Sequence, residues 1–131
     1  MGQPGLVERL GHGPGDRLLI VNCDDVSSSH GANVAAYRAM VYGIATSATL
    51  MVPCPWAREA ARMLQGLPVG VHLTLTSEHR GYRWRGLTGA ASLRDGEGFL
   101  PATAKAALRC IGKVDARAEC RAQIEAALAW G

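Results

Sequence analysis

Residues 18–52 have the sequence LLIVNCDDVSSSHGANVAAYRAMVYGIATSATLMV. This stretch begins with one apolar run, Leu18 to Asn22, and ends with another, Ile44 to Val52. Short continuous apolar runs are typical of strands that are covered on both faces, as in a parallel sheet. A helical pattern lies between the two runs, so the stretch predicts a right-handed βαβ unit.

The chain after residue 52 continues this alternation of strands and helices. Alternating elements with short connections are typical of the α/β fold class with a parallel sheet. In the last helix, Cys120, Ile124, Ala127 and Leu128 fall on one face, which we expect to be buried. The remaining predicted elements are a helix over Asn33 to Tyr42, a helix over Pro55 to Gly66, a strand over Val69 to Thr76, and helices over Pro101 to Cys110 and from Asp115, as N-cap, to about Trp130.

Two segments lack such periodicity. Residues 1–16 are rich in glycine and proline, which predicts a flexible leader before a domain over residues 17–131. Residues 77–100 are polar, glycine-rich and irregular. A loop of this length is uncommon in a small domain unless it has a function, and it directly follows the third predicted strand.

Composition sets limits on the kind of protein. A chain of 131 residues that is 48% apolar is long enough for one globular domain with its own core. The net charge of +3 does not require a nucleic-acid partner, and no apolar run approaches the ~20 residues of a membrane-spanning helix. With no signal-like start, we expect a cytoplasmic protein. The four cysteines form no CxxC pair, so we expect small buried thiols.

Three side chains stand where parallel α/β proteins carry their chemistry, at the carboxyl ends of strands. Asp24 and Asp25 follow the first predicted strand, and His72 lies within the third. A divalent ion would relieve the repulsion between adjacent carboxylates, with Asp25 as ligand and Asp24 free as a base. Alternatively, one aspartate caps the next turn, and His72 is a hydrogen-bonded histidine of the sheet.

Four short motifs surround these residues: Asn-x-Asp-Asp at residues 22–25, Gly-x-Asn at 31–33, Thr-Ser-x-x-x-Met-Val at 46–52 and Gly-x-His-Leu-x-Leu-Thr at 70–76. Together they resemble one known family, the YdjC-like carbohydrate deacetylases. Order and spacing also match, from about Leu18 to Thr76. The chain departs from the family at Cys23, at Val26 and Ser27, and at His30, where the family usually has Ala, Phe-Gly and Pro.

The resemblance implies a distorted TIM-like barrel that hydrolyses the N-acetyl group of an amino-sugar oligosaccharide or related acetylated glycan. It assigns Asp24 as general base and Asp25 and His72 as ligands of one divalent ion, either zinc or magnesium. The family carries a further His-x-Asp-Ser-His motif on a strand after the last helix. Because that motif is not among the 131 residues, we interpret them as the N-terminal part of the catalytic domain. Uncovered strand edges would then favour association between copies of the chain.

A second motif supports an alternative, a non-catalytic α/β module that binds sugars or nucleic acid. Residues 79–85, HRGYRWR, place cationic groups among aromatic rings, a mixture that suits a sugar face or single-stranded nucleic acid. The same residues could form a solvated loop rim. His30, three residues past the turn that follows the aspartates, could be an additional ligand or a solvated loop residue.

Overall fold

Three short parallel strands form the sheet of this protein, which a computed structural model describes over residues 5–131. They are β1 (Asn22–Val26), β2 (Ser47–Leu50) and β3 (Val69–Val71), in the order β1-β2-β3. Both pairings are parallel, and each crossover carries a helix, α2 (His30–Val41) or α3 (Ala57–Met63). The predicted α/β class with a parallel sheet is therefore confirmed.

The remaining elements precede and follow the three strands in the chain. A single helical turn, α1 (Leu6–Arg9), lies in the segment predicted to be a leader, whose first four residues are outside the described part. Residues 77–100 are irregular, as predicted, except for a 3₁₀ turn at Ala91–Leu93. Two helices follow, α4 (Ala104–Cys110) and α5 (Lys113–Leu128). Within residues 5–131, no helix has the length and apolar character needed to cross a bilayer.

The first strand does not lie where the apolar run predicted it. The run from Leu18 to Asn22 is mostly outside the sheet, and the side chains of Leu19 and Ile20 are 78% and 79% exposed. A strand needs a hydrogen-bonded neighbour, and the hydrogen bonds between the two segments reach back only to Val21, whose carbonyl accepts from the Thr46 N–H at 2.8 Å. The residues before β2 belong to a turn, since the Ala45 N–H donates to a carbonyl at the end of α2. The strand is therefore displaced toward the aspartates.

All four predicted helices begin at other residues than predicted, with α3 starting at Ala57 instead of Pro55 and α4 at Ala104 instead of Pro101. Helix α2 starts at His30, because the Ser29 side chain accepts a hydrogen bond from the Ala32 N–H at 3.0 Å and caps the first turn. Helix α5 starts at Lys113, so Asp115 is not its N-cap. The Asp115 carboxylate instead accepts a hydrogen bond from the Ser92 hydroxyl at 2.6 Å, which attaches the helix to the 3₁₀ turn.

Buried apolar residues form two clusters, one against the helices and one beneath the long loop. The second cluster holds Cys54, and burial, followed by the nearby Asp25 charge, raises the pKa of its thiol to about 12. Cys54 is thus the buried thiol that we expected, whereas Cys110 is exposed. The first cluster comprises Val26, Ala36, Ala48, Leu50, Val52, Ala57, Ala60 and Leu64, and the second Met51, Cys54, Trp84, Leu93 and Leu100.

The predicted apolar face of α5 is only partly buried, since Cys120 and Ala127 are half-buried and Ala127 packs against the first cluster. Ile124 and Leu128 are 42% and 75% exposed, whereas Glu119 and Gln123 are 0% exposed. The exposed Ile124 and Leu128 line a groove of about 300 Å³ beside the free edge of β3. In the described part of the chain, neither β1 nor β3 has a strand on its outer edge. Association of copies through these edges stays a prediction.

Candidate functional site

The three side chains singled out in the sequence meet at the carboxyl end of the sheet. Asp24 and Asp25 belong to β1 itself, and His72 is the first residue after β3, because that strand ends at Val71 and not at Thr76 as predicted. His72 Nε2 lies 3.6 Å from Asp25 Oδ1, and His72 Nδ1 lies 4.0 Å from Asp24 Oδ1. The structure therefore brings both aspartates to one imidazole ring.

An irregularity in β1 lets two adjacent aspartates approach the same ring. Neighbouring residues of a regular strand point to opposite faces of the sheet. Here the register between β1 and β2 shifts between Cys23 and Val26, and Asp25 has a φ of 56°. Such bulges redirect side chains and are frequent beside active sites. This one gives both carboxylates access to His72.

Asp24 is held by two side chains that the sequence motifs did not assign. Its Oδ1 accepts a hydrogen bond from Asn22 Nδ2 at 2.7 Å and another from the Thr49 hydroxyl at 3.0 Å. The Thr49 bond, followed by the Asn22 bond, holds the pKa of Asp24 below its ordinary value of 3.8. Asp24 is therefore a carboxylate at neutral pH, with its Oδ2 free of hydrogen bonds from the described residues.

The same threonine sets the tautomer of His72. Thr49 Oγ1 lies 3.3 Å from His72 Nδ1 and donates its one hydrogen to Asp24, so it can only accept from the ring nitrogen. Neutral His72 then carries its proton on Nδ1. Its Nε2 has a free lone pair, on the side of the ring that faces Asp25. Nε2 is the nitrogen that could bind a cation or accept a hydrogen bond.

The His72 and Asp25 pair fits part of a metal site. Imidazole nitrogen and carboxylate oxygen are ligands that zinc accepts, and magnesium favours carboxylates. Two ligands of one tetrahedral zinc are roughly 3.4 Å apart, close to the 3.6 Å between Nε2 and Oδ1. Among residues 5–131, however, His, Cys, Asp and Glu side chains form no group of three that could hold an ion. The described chain supplies two donors.

Ser27, which replaces the glycine of the family motif, is strained in the turn that follows the aspartates. Its φ is 86°, a left-handed conformation that costs a residue with a Cβ about 1–3 kcal/mol. The side chain is 0% exposed, and its hydroxyl has no hydrogen-bond partner in the described structure. The turn itself is fixed, since the Ser27 N–H donates to Asn33 Oδ1 at 2.9 Å.

We therefore expect Ser27→Gly to stabilise the protein by about 1 kcal/mol, because glycine adopts a positive φ without strain and removes the unpaired hydroxyl. Urea unfolding of the variant and the parent measures the difference. Ser28→Gly is the matched control, since Ser28 is also buried but not left-handed, and it should destabilise by roughly 0.5–1 kcal/mol. A Ser27→Gly variant that is no more stable than the parent contradicts the expectation.

His30 is a helix residue and pairs with a side chain of α3. Its Nδ1 lies 2.9 Å from Glu59 Oε1, and the other carboxylate oxygen accepts a bond from Asn33 Nδ2 at 2.8 Å. The Asn33 bond, followed by the His30 bond, lowers the pKa of Glu59. His30 is exposed, as a solvated residue would be, but its position at the start of α2 corrects the expectation of a loop.

A cavity of about 300 Å³ opens at this site, and residues of the long loop complete it. His79 and Glu78 line the cavity together with Asp25 and His72. The His79 ring stacks on Tyr82, with 5.3 Å between ring centroids and 19° between the planes. Only the position of the loop directly after a strand signalled that these residues would join the site.

Arg83 and Trp84 of the HRGYRWR segment pack within the fold, whereas Arg80 and Arg85 are exposed. Arg83 forms an ion pair with Asp95 at 2.6 Å and donates to the Leu100 carbonyl at 2.6 Å. Trp84 is buried, and its indole N–H donates to the Thr76 carbonyl at 2.8 Å. These contacts hold the long loop against the end of the sheet, beside the candidate site.

Comparison with known proteins places the chain in a family. The family model described as YdjC-like protein matches residues 18–131. A carbohydrate deacetylase of Thermus thermophilus is 42% identical over 122 residues, which are 93% of this chain and 43% of that protein. A chitooligosaccharide deacetylase of Serratia marcescens is 42% identical over 64 residues, 47% of this chain and 25% of that protein.

A solved structure shares the fold. It is a protein of Enterococcus faecalis provisionally described as a cellobiose-phosphate cleavage protein, with a TM-score of 0.76 and 24% identity. The match covers 86% of this chain and 44% of the other, so the chain spans less than half the length of this structure and of the Thermus relative. With the family model matching nearly all of the described residues, the chain belongs to the YdjC-like protein family.

Proposed function

We propose that this protein is a metal-dependent carbohydrate deacetylase that removes N-acetyl groups from amino-sugar oligosaccharides or related acetylated glycans. The observation that carries the proposal is the convergence of Asp24 and Asp25 on His72, with Asp25 and His72 lining one cavity. Membership of the YdjC-like family and the names of the deacetylase relatives support the same substrate class.

In this proposal Asp25 and His72 hold one divalent ion, zinc or magnesium, through Oδ1 and Nε2. When bound, such an ion supplies Lewis acidity, which polarises an acetamide carbonyl and makes water easier to deprotonate. The Thr49 contact supports the role of His72, because it keeps the ring proton on Nδ1 and leaves Nε2 free.

Asp24 is the general base. It is ionised at neutral pH, and the bonds from Asn22 and Thr49 both go to Oδ1. Its free Oδ2 accepts a proton from the water molecule that attacks the acetamide carbon. The proton taken by Asp24 is then passed to the sugar nitrogen as the carbon–nitrogen bond breaks, so that the products are acetate and the free amine of the sugar and Asp24 is again a carboxylate.

The alternative, a sugar-binding module without catalysis, is favoured by the stacked rings of His79 and Tyr82 beside the cavity. Flat ring faces of this kind suit the apolar face of a sugar. The two functions differ in one respect: a deacetylase releases acetate and a binding module does not. Nucleic-acid binding stays an untested alternative, for which steep weakening by salt would be the signature.

The first test measures acetate released from acetylated chitooligosaccharides, with zinc or magnesium present. We expect acetate to be released in the presence of one of these ions and release to stop when a chelator removes it. Sugar binding without acetate release under every metal condition would support the binding module and contradict the deacetylase.

A second test is calorimetric titration of zinc and magnesium into the purified 131-residue chain. We expect Asp25→Ala and His72→Ala each to weaken binding at least tenfold, since each removes a direct ligand. Glu97→Ala is the control, because Glu97 is an exposed carboxylate of the long loop that pairs with Arg83. Equal affinity of the parent and both site variants would exclude this metal site.

A further inference from the structure

The buried face of α5 is polar where an ordinary amphipathic helix would be apolar. Glu119 and Gln123 lie one helical turn apart and are both 0% exposed, while Ile124 beside them is 42% exposed. Burying an amide and a carboxylate is costly unless every polar atom finds a partner. The partners of this pair lie in the segment that follows His72 and in the long loop.

Gln123 takes the place of a neighbouring strand for the residues after β3. Its Oε1 accepts a hydrogen bond from the Thr74 N–H at 2.9 Å, and its Nε2 donates to the Thr74 carbonyl at 2.8 Å. Both backbone groups of one residue are thus satisfied by one side chain. Because β3 ends at Val71, no described strand offers Thr74 these bonds.

Glu119 fixes the orientation of that amide. Its Oε1 accepts the second hydrogen of Gln123 Nε2 at 2.8 Å, so the nitrogen must face Glu119 and the oxygen must face the Thr74 N–H. The carboxylate also accepts from the backbone N–H groups of Leu87 and Thr88, each at 2.9 Å, and from the Thr88 hydroxyl at 2.8 Å. A side chain at Gly86 would begin 3.0 Å from this carboxylate, so glycine lets the loop wrap around it.

Thr74, which Gln123 holds in place, is hydrogen-bonded to His72. The Thr74 hydroxyl donates to the His72 carbonyl at 2.7 Å, and the His72 N–H donates to the Leu50 carbonyl of β2 at 2.9 Å. The backbone of His72 is therefore held by the sheet on one side and by Thr74 on the other. Without Gln123, Thr74 would have both backbone groups unpaired and would shift to find other partners.

We propose that Gln123, oriented by Glu119, is a positioning residue that holds the His72 ring against Thr49 and Asp25. The inference rests on the proposed function, because the position of the ring matters only if His72 acts in the site. A ring displaced by about 1 Å loses its productive geometry. The same network ties the loop at residues 87–88 to the site. Gln123 itself touches neither the ring nor the cavity-lining aspartate.

The test compares Gln123→Met with Ala127→Gly. Methionine fills the space of glutamine without its amide, whereas glycine at position 127 weakens the same helix and leaves the amide in place. Nuclear magnetic resonance without metal gives the first readout. In Gln123→Met we expect the Thr74 and His72 amides to exchange at least tenfold faster and the nuclear Overhauser contact between the His72 ring and Thr49 to be lost. Ala127→Gly should retain that contact.

Zinc affinity is the second readout, and we expect it to fall about tenfold in Gln123→Met and to be retained in Ala127→Gly. A His72 ring that keeps its contact with Thr49 in Gln123→Met overturns the proposal. If Gln123→Met does not fold, Thr74→Val takes its place in the same measurements. This nearly isosteric substitution removes only the hydrogen bond from the Thr74 hydroxyl to the His72 carbonyl. If the parent chain binds no zinc, the proposed metal site is contradicted. The contact between the His72 ring and Thr49, measured without metal, still decides the role of Gln123.

Discussion

Replacing Glu119 by alanine is expected to lower the free energy of unfolding by about 2–4 kcal/mol, because a buried donor left without its acceptor costs about 1–3 kcal/mol and part-buried donors add less. The substitution removes the acceptor of one hydrogen of Gln123 Nε2, in a buried bond, and of the part-buried N–H groups of Leu87 and Thr88. Unpaired buried donors cost more than the lost bonds alone would suggest. Because domains of this size are stable by only about 5–15 kcal/mol, much of the total would be lost. Urea unfolding measures the change.

Glu125→Ala is the matched control on the same helix. Glu125 is exposed, and its Oε1 lies 3.7 Å from Arg121 Nη1. Such an i,i+4 ion pair stabilises a helix by about 0.3–0.5 kcal/mol. An effect of Glu119→Ala no larger than that of Glu125→Ala would show that water replaces the carboxylate without cost, contrary to the hydrogen-bond network described above.

The pH dependence of the Glu119 contribution has a definite sign. Burial would raise the pKa of Glu119, but the hydrogen bonds from Gln123, Thr88 and Leu87 outweigh it and hold the pKa below 4.5. A carboxyl group with a lowered pKa stabilises the folded state above its unfolded value, and this stabilisation is lost as the pH falls through the folded value. The stability difference between the parent and Glu119→Gln should therefore shrink below about pH 4.5.

Replacing Asp24 by asparagine is expected to lower kcat for acetate release by about 10²–10⁴-fold, the range associated with a general base. Asparagine preserves the shape of the side chain but cannot take a proton from water. Since Asp24 is not one of the two proposed ligands, zinc affinity should stay within about threefold of the parent. Kinetics on acetylated chitooligosaccharides and calorimetry on the same preparation measure the two quantities.

This separation of roles distinguishes Asp24 from its neighbour. Asp25→Ala should weaken zinc binding, whereas Asp24→Asn should lower kcat for acetate release and leave zinc binding nearly unchanged. Asp16→Asn is the control for removing an exposed carboxylate, because Asp16 lies before the sheet and contacts only the Gly13 N–H among its described hydrogen-bond partners. A near-normal kcat in Asp24→Asn would assign the base to another group.

The core of the candidate site was accessible from sequence because its residues lie on short-range motifs. Asp24 and Asp25 follow the first predicted strand, and His72 lies within the third. In a parallel sheet the carboxyl ends of such strands meet at one edge, so their proximity could be predicted without knowing the side-chain geometry. Thr49 was missed, since its role depends on hydrogen bonds to Asp24 and His72, which are 25 and 23 residues away in the chain. Asn22 donates to Asp24 only two residues away, but the motif by itself gave it no role.

The strand boundaries were predicted less well, for a related reason. Apolar character marks where a strand is favourable, but hydrogen-bond pairing decides where it forms. The run that includes Leu19 is exposed because the hydrogen bonds to the segment of β2 reach back only to Val21. The positive φ of Ser27 was likewise not predicted, because the periodicity of apolar residues carries no information on the φ of a serine.

The sequence alone determined the parallel α/β order, the resemblance to the YdjC-like family and the trio Asp24, Asp25 and His72, because these depend on local patterns of apolar and polar residues. Only the tertiary structure decided which face of α5 is buried. Apolar periodicity predicted the face with Ile124, yet Glu119 and Gln123 are buried because their partners, 31 to 49 residues away in the chain, satisfy them. Burial of a polar group depends on such partners, and no local pattern specifies them.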